Sequence, residues 1–217
     1  MVYVIEQHKL AYFPVPKNAC TSLKNAFYLL KNGKPFVDYI ADDGKFVHVH
    51  TEIFSEKFTT INVLDAQECF RFGIVRDPIK RFLSSYENRV LYHAELSEEN
   101  VHGPLARELG LKVQPDLNEF VDKLEAYRLF SWSIGHHTDP QTYFLGSDPN
   151  YFHKLYNINR LDDLLVDIEA RIGIAIEVPR MQISSSNVPV SELSTKSLQK
   201  LKEFYSGDYA FLRDVQL

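Results

Sequence analysis

Apolar runs alternate with stretches of helical periodicity along the chain. KLAYFPVP at 9–16 is almost continuously apolar, as expected of a strand buried on both faces. It leads into KNACT and a helical segment over 22–31. FRFGIV at 70–75 is a second such strand, ending at Arg76. Asp77 and Pro78 then supply an N-cap and a proline at the first helical position, predicting a helix to about residue 91. Further helices are predicted over 117–127, over 161–172 with Gly173 as the stop, and over 195–204, with a third strand over 154–158. This alternation predicts an α/β fold: one domain spanning 1–217, with a central parallel sheet flanked by helices. No repeat, low-complexity tract or Gly/Ser/Pro-rich linker divides it. The stretch 95–115, polar and bearing Gly103, Pro104 and Gly110, reads as a surface insertion beside a binding cleft.

Composition narrows the classes. With 45% apolar and 24% charged residues the chain can bury a core, which excludes disorder as its main state. A net charge of −5 argues against general nucleic-acid binding but leaves room for a small anionic ligand. Cys20 and Cys69 are too few for a disulfide framework and lack metal-ligand spacing, so they read as free thiols. The N-terminus MVYVIEQHKL carries Glu6 and no cleavage pattern, and no window has the ~20 apolar residues of a membrane span. These features predict a cytoplasmic protein without membrane contact.

Candidate chemistry begins at PVPKNACTSLK, between the first strand and its helix. The amides of a first helical turn point outward there with the helix dipole behind them, which suits a phosphate or a sulfate. Thr21 and Ser22 add hydroxyls and Lys17 a mobile charge; Lys17, Asn18, Ala19, Cys20, Thr21 and Ser22 are the candidate anion-loop residues. An ordinary turn with Thr21 or Ser22 as a plain N-cap would look the same. A nucleotide-triphosphate loop needs G-x-x-x-x-G-K-[ST]. No glycine is present here, and the lysine precedes the Thr-Ser pair, which disfavours ATP hydrolysis.

P-K-N-A-C-T-S at 16–22 resembles the 5′-phosphosulfate-binding loop of sulfotransferases that use 3′-phosphoadenosine 5′-phosphosulfate (PAPS). The P-K-x-[AG]-C-T form is similar to the carbohydrate sulfotransferases of the HNK-1 and chondroitin type, and P-K-T-G-S-T-S occurs in the related uronyl and heparan 2-O-sulfotransferases. Ala19 stands where many members have glycine. The family also follows a strand with R-[DE]-P and a helix serine eight residues after the arginine, matched here by Arg76-Asp77-Pro78 and Ser84. Arg76 sits at a strand's C-terminal end, where open α/β sheets bind ligands, and Ser84 two turns into the next helix. Fainter similarity extends to YNINRLDDLLVDIEARIG and MQISSSN, which places Ser186 and Asn187 near the nucleotide.

The resemblance implies a P-loop-like nucleotide-binding fold, PAPS as donor, PAP (the desulfated nucleotide) as product, no metal, and a hydroxyl acceptor. The nearest motifs belong to carbohydrate-acting branches, so the implied acceptor is a carbohydrate or a sugar-bearing small molecule, with 95–115 near the acceptor cleft. An acidic chain disfavours a long polyanionic polysaccharide. Lys17 would stabilise the leaving oxygen. For the base, His48 and His50 in HVH share a face if extended and resemble the H-x-H of the 2-O-sulfotransferases, whose second histidine is the base. His136 and His137 open a segment where H-T-D-P-Q at 137–141 is similar to H-W-x-P-Q, with Thr138 departing from the tryptophan. His50 is the expected base, His48 an orienting partner, and His137 and Gln141 acceptor-pocket residues. Two readings compete with this one: a nucleotide-dependent kinase of related fold, and a non-catalytic PAP-binding protein.

Overall fold

Leu10, Ala11, Tyr12 and Phe13 are all buried, which makes their strand central. The computed structural model describes residues 2–178, 188–213 and 215. The chain forms β1 (Tyr3–Ile5), β2 (Leu10–Phe13), α1 (Cys20–Asn32), the hairpin strands β3 (Tyr39–Ile40) and β4 (Phe46–Val47), α2 (Val49–Glu52) and β5 (Phe70–Val75). Helices α3 (Pro78–Tyr86), α4 (Gly103–Glu108), α5 (Leu117–Asp122), α6 (Leu124–Phe130), α7 (Trp132–Thr138) and α8 (Gln141–Leu145) follow. Then come β6 (Lys154–Asn157), α9 (Leu161–Ile172), α10 (Thr195–Phe204) and α11 (Ser206–Phe211). Among the described residues, 2–76, 141–178 and those from 211 onward make one compact unit, and 77–140 with 188–210 a second. The chain leaves the first unit between Arg76 and Asp77 and returns between Pro140 and Gln141, inside the R-D-P and D-P-Q motifs.

The first unit holds a sheet in the order β1-β2-β5-β6. It is mixed: the expected parallel core carries one antiparallel edge strand. β2, β5 and β6 run parallel, but β1 is antiparallel to β2, with Tyr3 opposite Tyr12 and Ile5 opposite Leu10. The cause is the connection. A single 3₁₀ turn, Glu6–His8, closes on Lys9 at φ 48°, far too short for the crossover that a parallel pair requires. Alternate residues then build two apolar layers. Tyr12 and Phe72 face Leu23 and Phe27 of α1 and Leu164 and Ile168 of α9, while Phe13 and Val75 face Phe144, Leu145 and Phe152. Tyr12, Phe27 and Phe72 form a ring cluster at centroid distances of 5.1 to 5.6 Å. Gly73 admits α8, because a Cβ there would lie 3.1 Å from Leu145 Cδ2.

The second unit packs its helices around Phe82, Phe120, Tyr127, Leu201 and Tyr205. Asp77 caps α3 by accepting from the Lys80 amide at 2.8 Å. Helical structure continues to Tyr92, but residues 87–92 form a π-helical turn. The helix predicted over 117–127 is two helices, broken at Lys123, whose φ of −110° leaves the helical region and whose ammonium donates to the Gly110 carbonyl. The polar stretch 95–115 contributes Leu96, Val101 and Ala106 to this core. Among the described residues, no helix is long and apolar enough to cross a membrane.

Candidate functional site

The loop from β2 to α1 is shaped by two left-handed residues, Lys17 at φ 67° and Ala19 at φ 55°, with buried Asn18 between them. Asn18 Nδ2 donates to the Ile74 carbonyl and to Gln141 Oε1, both at 2.8 Å. Its Oδ1 is buried without a hydrogen-bond partner among the described residues. Asn18 therefore pins the loop to β5 from inside. The helix begins at Cys20, and its N-cap is Ala19, which makes no side-chain hydrogen bond. No acidic residue lies in the first turn. That end of α1 keeps its dipole, with no acid of its own first turn competing for it. Cys20 and Ser22 are buried, and Thr21 is half-buried.

Arg76 closes on this loop from the end of β5. Its Nη1 donates to the Lys17 carbonyl at 3.2 Å. Its amide donates to Gln141 Oε1 at 3.0 Å, and Gln141 Nε2 donates to the Arg76 carbonyl at 2.8 Å. Gln141 thus pairs with the Arg76 backbone as a neighbouring strand would, beyond the last residue of β5. This corrects its assignment as a sugar-binding side chain: it is fully buried and its amide is engaged by the protein's own backbone and Asn18.

Against the first turns of α1 lies α2. His50 Nε2 is hydrogen-bonded to Thr21 Oγ1 at 2.9 Å, and its Nδ1 to Lys24 Nζ at 3.1 Å. Lys24 also donates to Ser55 Oγ at 3.2 Å. Burial pushes the Lys24 amine below the ordinary lysine range, with the nearby Cys20 thiol acting weakly in the opposite sense. His48 is not part of an extended segment. It is the N-cap of α2, with Nδ1 accepting from the His50 amide at 3.1 Å. The alternating-face expectation fails because this cap starts a helix, yet the two rings remain 5.6 Å apart.

The other candidates belong to the second unit. Ser84 is half-buried on α3. His137 ends α7 with Nδ1 hydrogen-bonded to the Ser133 carbonyl at 2.8 Å, while its own carbonyl accepts from Ser85 Oγ at 2.7 Å and from Arg81. His136 stacks on Trp132 at 4.9 Å. Thr138, in the place of the family's tryptophan, is buried, and its carbonyl accepts from the Tyr205 hydroxyl at 2.7 Å. Ser186 and Asn187 lie outside the described residues.

The family model described as the sulfotransferase family matches residues 1–213. The chain belongs to the sulfotransferase family. It is also similar to carbohydrate sulfotransferase 10 of Pongo abelii, at 24% identity over 96 residues, 42% of this chain and 26% of that protein. The match spans about a quarter of the relative's length. No solved structure matches.

For a sulfotransferase-family chain, the first unit gathers Lys17, Thr21, Arg76 and His50 around one helix end. Two functional-looking residues escaped the motif reading, Lys24 and Ser55. Lys24 follows Thr21 by one helical turn and sits between Leu23 and Ala26 on the buried face of α1, so helical periodicity alone places its amine inward. For Ser55 the sequence carries no comparable signal.

Proposed function

We propose that the protein transfers a sulfuryl group from PAPS to a hydroxyl of a carbohydrate or sugar-bearing small molecule. The observation that carries this reading is the hydrogen bond between His50 and Thr21, which sets the candidate base beside the anion loop of a family member. The loop suits the donor's anionic groups: α1 begins without a side-chain cap or an acid, and the Arg76 guanidinium lies at the Lys17 carbonyl. PAPS would supply the sulfuryl group and leave as PAP.

The chain's own residues do the rest. Arg76 offers a planar fork to a nucleotide phosphate. Lys17 and the amides of α1 meet negative charge as it grows on the leaving oxygen, where a preorganised donor is worth most. His50 takes the acceptor's proton at Nε2 as the new O–S bond forms, which requires the acceptor hydroxyl to displace that of Thr21. An acceptor screen of sugars, glycolipids and small alcohols with radiolabelled PAPS tests the reading. Label transfer to one class, abolished in His50→Ala, is expected. PAP binding without transfer to any acceptor would leave a nucleotide-binding protein in its place.

A further inference from the structure

Lys24 is a lysine in the wrong medium. It is 1% exposed, and among the described residues no carboxylate pairs with it. A buried ammonium is normally paired, because desolvation of an isolated charge is costly. Its hydrogen-bond partners, neither of them an acid, come from the segment that follows β4: His50 Nδ1 at 3.1 Å and Ser55 Oγ at 3.2 Å. From its own helix the titratable neighbour is Cys20, one turn earlier. α2 is fixed against α1 by Val49 and Ile53, which sink into the core that holds Leu23 and Phe27. The His50 ring is thus delivered to Lys24 by packing.

The protons shared by Lys24, Ser55, Thr21 and an uncharged His50 ring can be arranged in three ways. An ammonium has three N–H groups and no lone pair, so it requires Nδ1 of His50 to be bare and the ring proton to sit on Nε2. In that state the nitrogen facing Thr21 has no lone pair to offer and cannot accept a proton. A neutral amine has two N–H groups and one lone pair. It can donate to Ser55 Oγ and accept from His50 Nδ1–H, leaving Nε2 bare toward Thr21 Oγ1. The same neutral amine can instead donate to both Ser55 Oγ and a bare Nδ1, which again puts the ring proton on Nε2. Neither arrangement with a neutral amine buries a charge, and only the one in which the amine accepts from Nδ1–H leaves a base facing the anion loop.

We propose that Lys24 is a positioning residue for His50: its neutral amine accepts from Nδ1–H and so holds the imidazole in the tautomer whose Nε2 lone pair faces Thr21 and the anion loop. This deepens the assignment of His50 as base and rests on it. When Nε2 takes the acceptor's proton, the ring becomes imidazolium, and its Nδ1–H stays on the lysine nitrogen. The lysine then does what a carboxylate does behind other catalytic histidines, fixing orientation and tautomer, but without placing a negative charge beside a site that must bind anions.

The test is the tautomer itself. In ¹⁵N-labelled protein at a pH of about 8, above the ordinary imidazole pKa of about 6.5, long-range proton–nitrogen correlation reports which His50 nitrogen is protonated. His50→Ala assigns the signal. The expected result is Nδ1–H in the wild type and Nε2–H in Lys24→Met, where the lysine acceptor is gone and the proton moves to bond Thr21 Oγ1. Ser55→Ala, which removes the other partner, should leave Nδ1–H in place. Nε2–H in the wild type overturns the proposal, as does Nδ1–H retained in Lys24→Met. If Lys24→Met does not fold, the wild-type spectrum decides alone. The readout needs no acceptor, so a failure of sulfuryl transfer, which would remove His50 as base, is distinguishable from a failure of the tautomer assignment.

Discussion

The Arg76 guanidinium donates to the Lys17 carbonyl across 3.2 Å, tying the end of β5 to the loop after β2 by a charged side chain. Both strand ends therefore meet at the candidate anion loop. Arg76→Ala removes a charge-assisted donor and is expected to weaken PAP binding by about 1.5–3 kcal/mol, the range for hydrogen bonds to charged groups. Arg76→Lys keeps the charge but loses the planar fork, and should recover only part of that loss. Calorimetric titration with PAP, with and without a chelator, checks both variants. Unchanged affinity in Arg76→Ala would remove the residue from the site.

Lys17 should behave differently. Its charge matters most when the leaving oxygen gains negative charge, so Lys17→Ala should lower kcat by about 10²-fold or more while changing PAP affinity less than Arg76→Ala does. A raised KM for PAPS with normal kcat would make Lys17 an anchor only.

Ala19 adopts φ 55°, in the left-handed region, at the position where many family members carry glycine. The conformation costs an L-residue roughly 1–2 kcal/mol, and glycine's larger unfolded-state entropy returns about 0.5–1 kcal/mol of that gain. Ala19→Gly is thus expected to be neutral or to stabilise the protein by up to about 1 kcal/mol, against the usual penalty for glycine near a helix. Urea unfolding of the two proteins measures it, and a clear destabilisation would contradict the loop geometry.

Gln141 carries a stability prediction in place of the substrate role its motif implied. Its amide serves the Arg76 amide and carbonyl and Asn18 Nδ2 at once. Gln141→Ala leaves these buried groups without that partner, at about 1–3 kcal/mol for each orphaned group after relaxation, and should lower stability by at least about 2 kcal/mol. A large loss in thermal stability is expected. A variant as stable as wild type but with a raised acceptor KM would restore the sugar-binding assignment.

These residues also show what the sequence could convey. β5, α9 and α10 were legible because each has a clean period and a clear stop: Arg76-Asp77-Pro78 ends the strand, and Gly173 caps α9 at φ 70°. The β1–β2 hairpin was not, since three residues of strand give too short a pattern to count. Lys17, Thr21 and Arg76 could be nominated from the sequence because short motifs fix their spacing in one dimension. Asn18 and Gln141 lie 123 positions apart and meet through burial, which no spacing records. The same holds for Lys24 and His50, joined only when α2 docks on α1. Over 95–115 the polar majority stays out of the core, as its composition suggests, while Leu96, Val101 and Ala106 enter it without a pattern long enough to announce them.

The choice of base rests on where the two histidine segments attach. His50 is hydrogen-bonded to Thr21 of the anion loop. His137 ends α7 with Nδ1 on its own helix's Ser133 carbonyl, and its backbone carbonyl serves Ser85 and Arg81, so its placement is that of a structural corner in the second unit. Losing a general base costs about 10²- to 10⁴-fold in rate, and PAP affinity should not follow, because the base acts on the acceptor. His50→Ala is therefore expected to lower kcat by that factor at saturating PAPS, with PAP binding nearly intact. His137→Ala should retain turnover within about 10-fold and lose stability, since disturbing the end of α7 reaches a buried hydrogen-bond network. Steady-state kinetics on any accepted substrate, run beside thermal melts of both variants, compares them. Near-normal turnover in His50→Ala with collapse in His137→Ala would reverse the assignment, and normal turnover in both would move the base to a carboxylate.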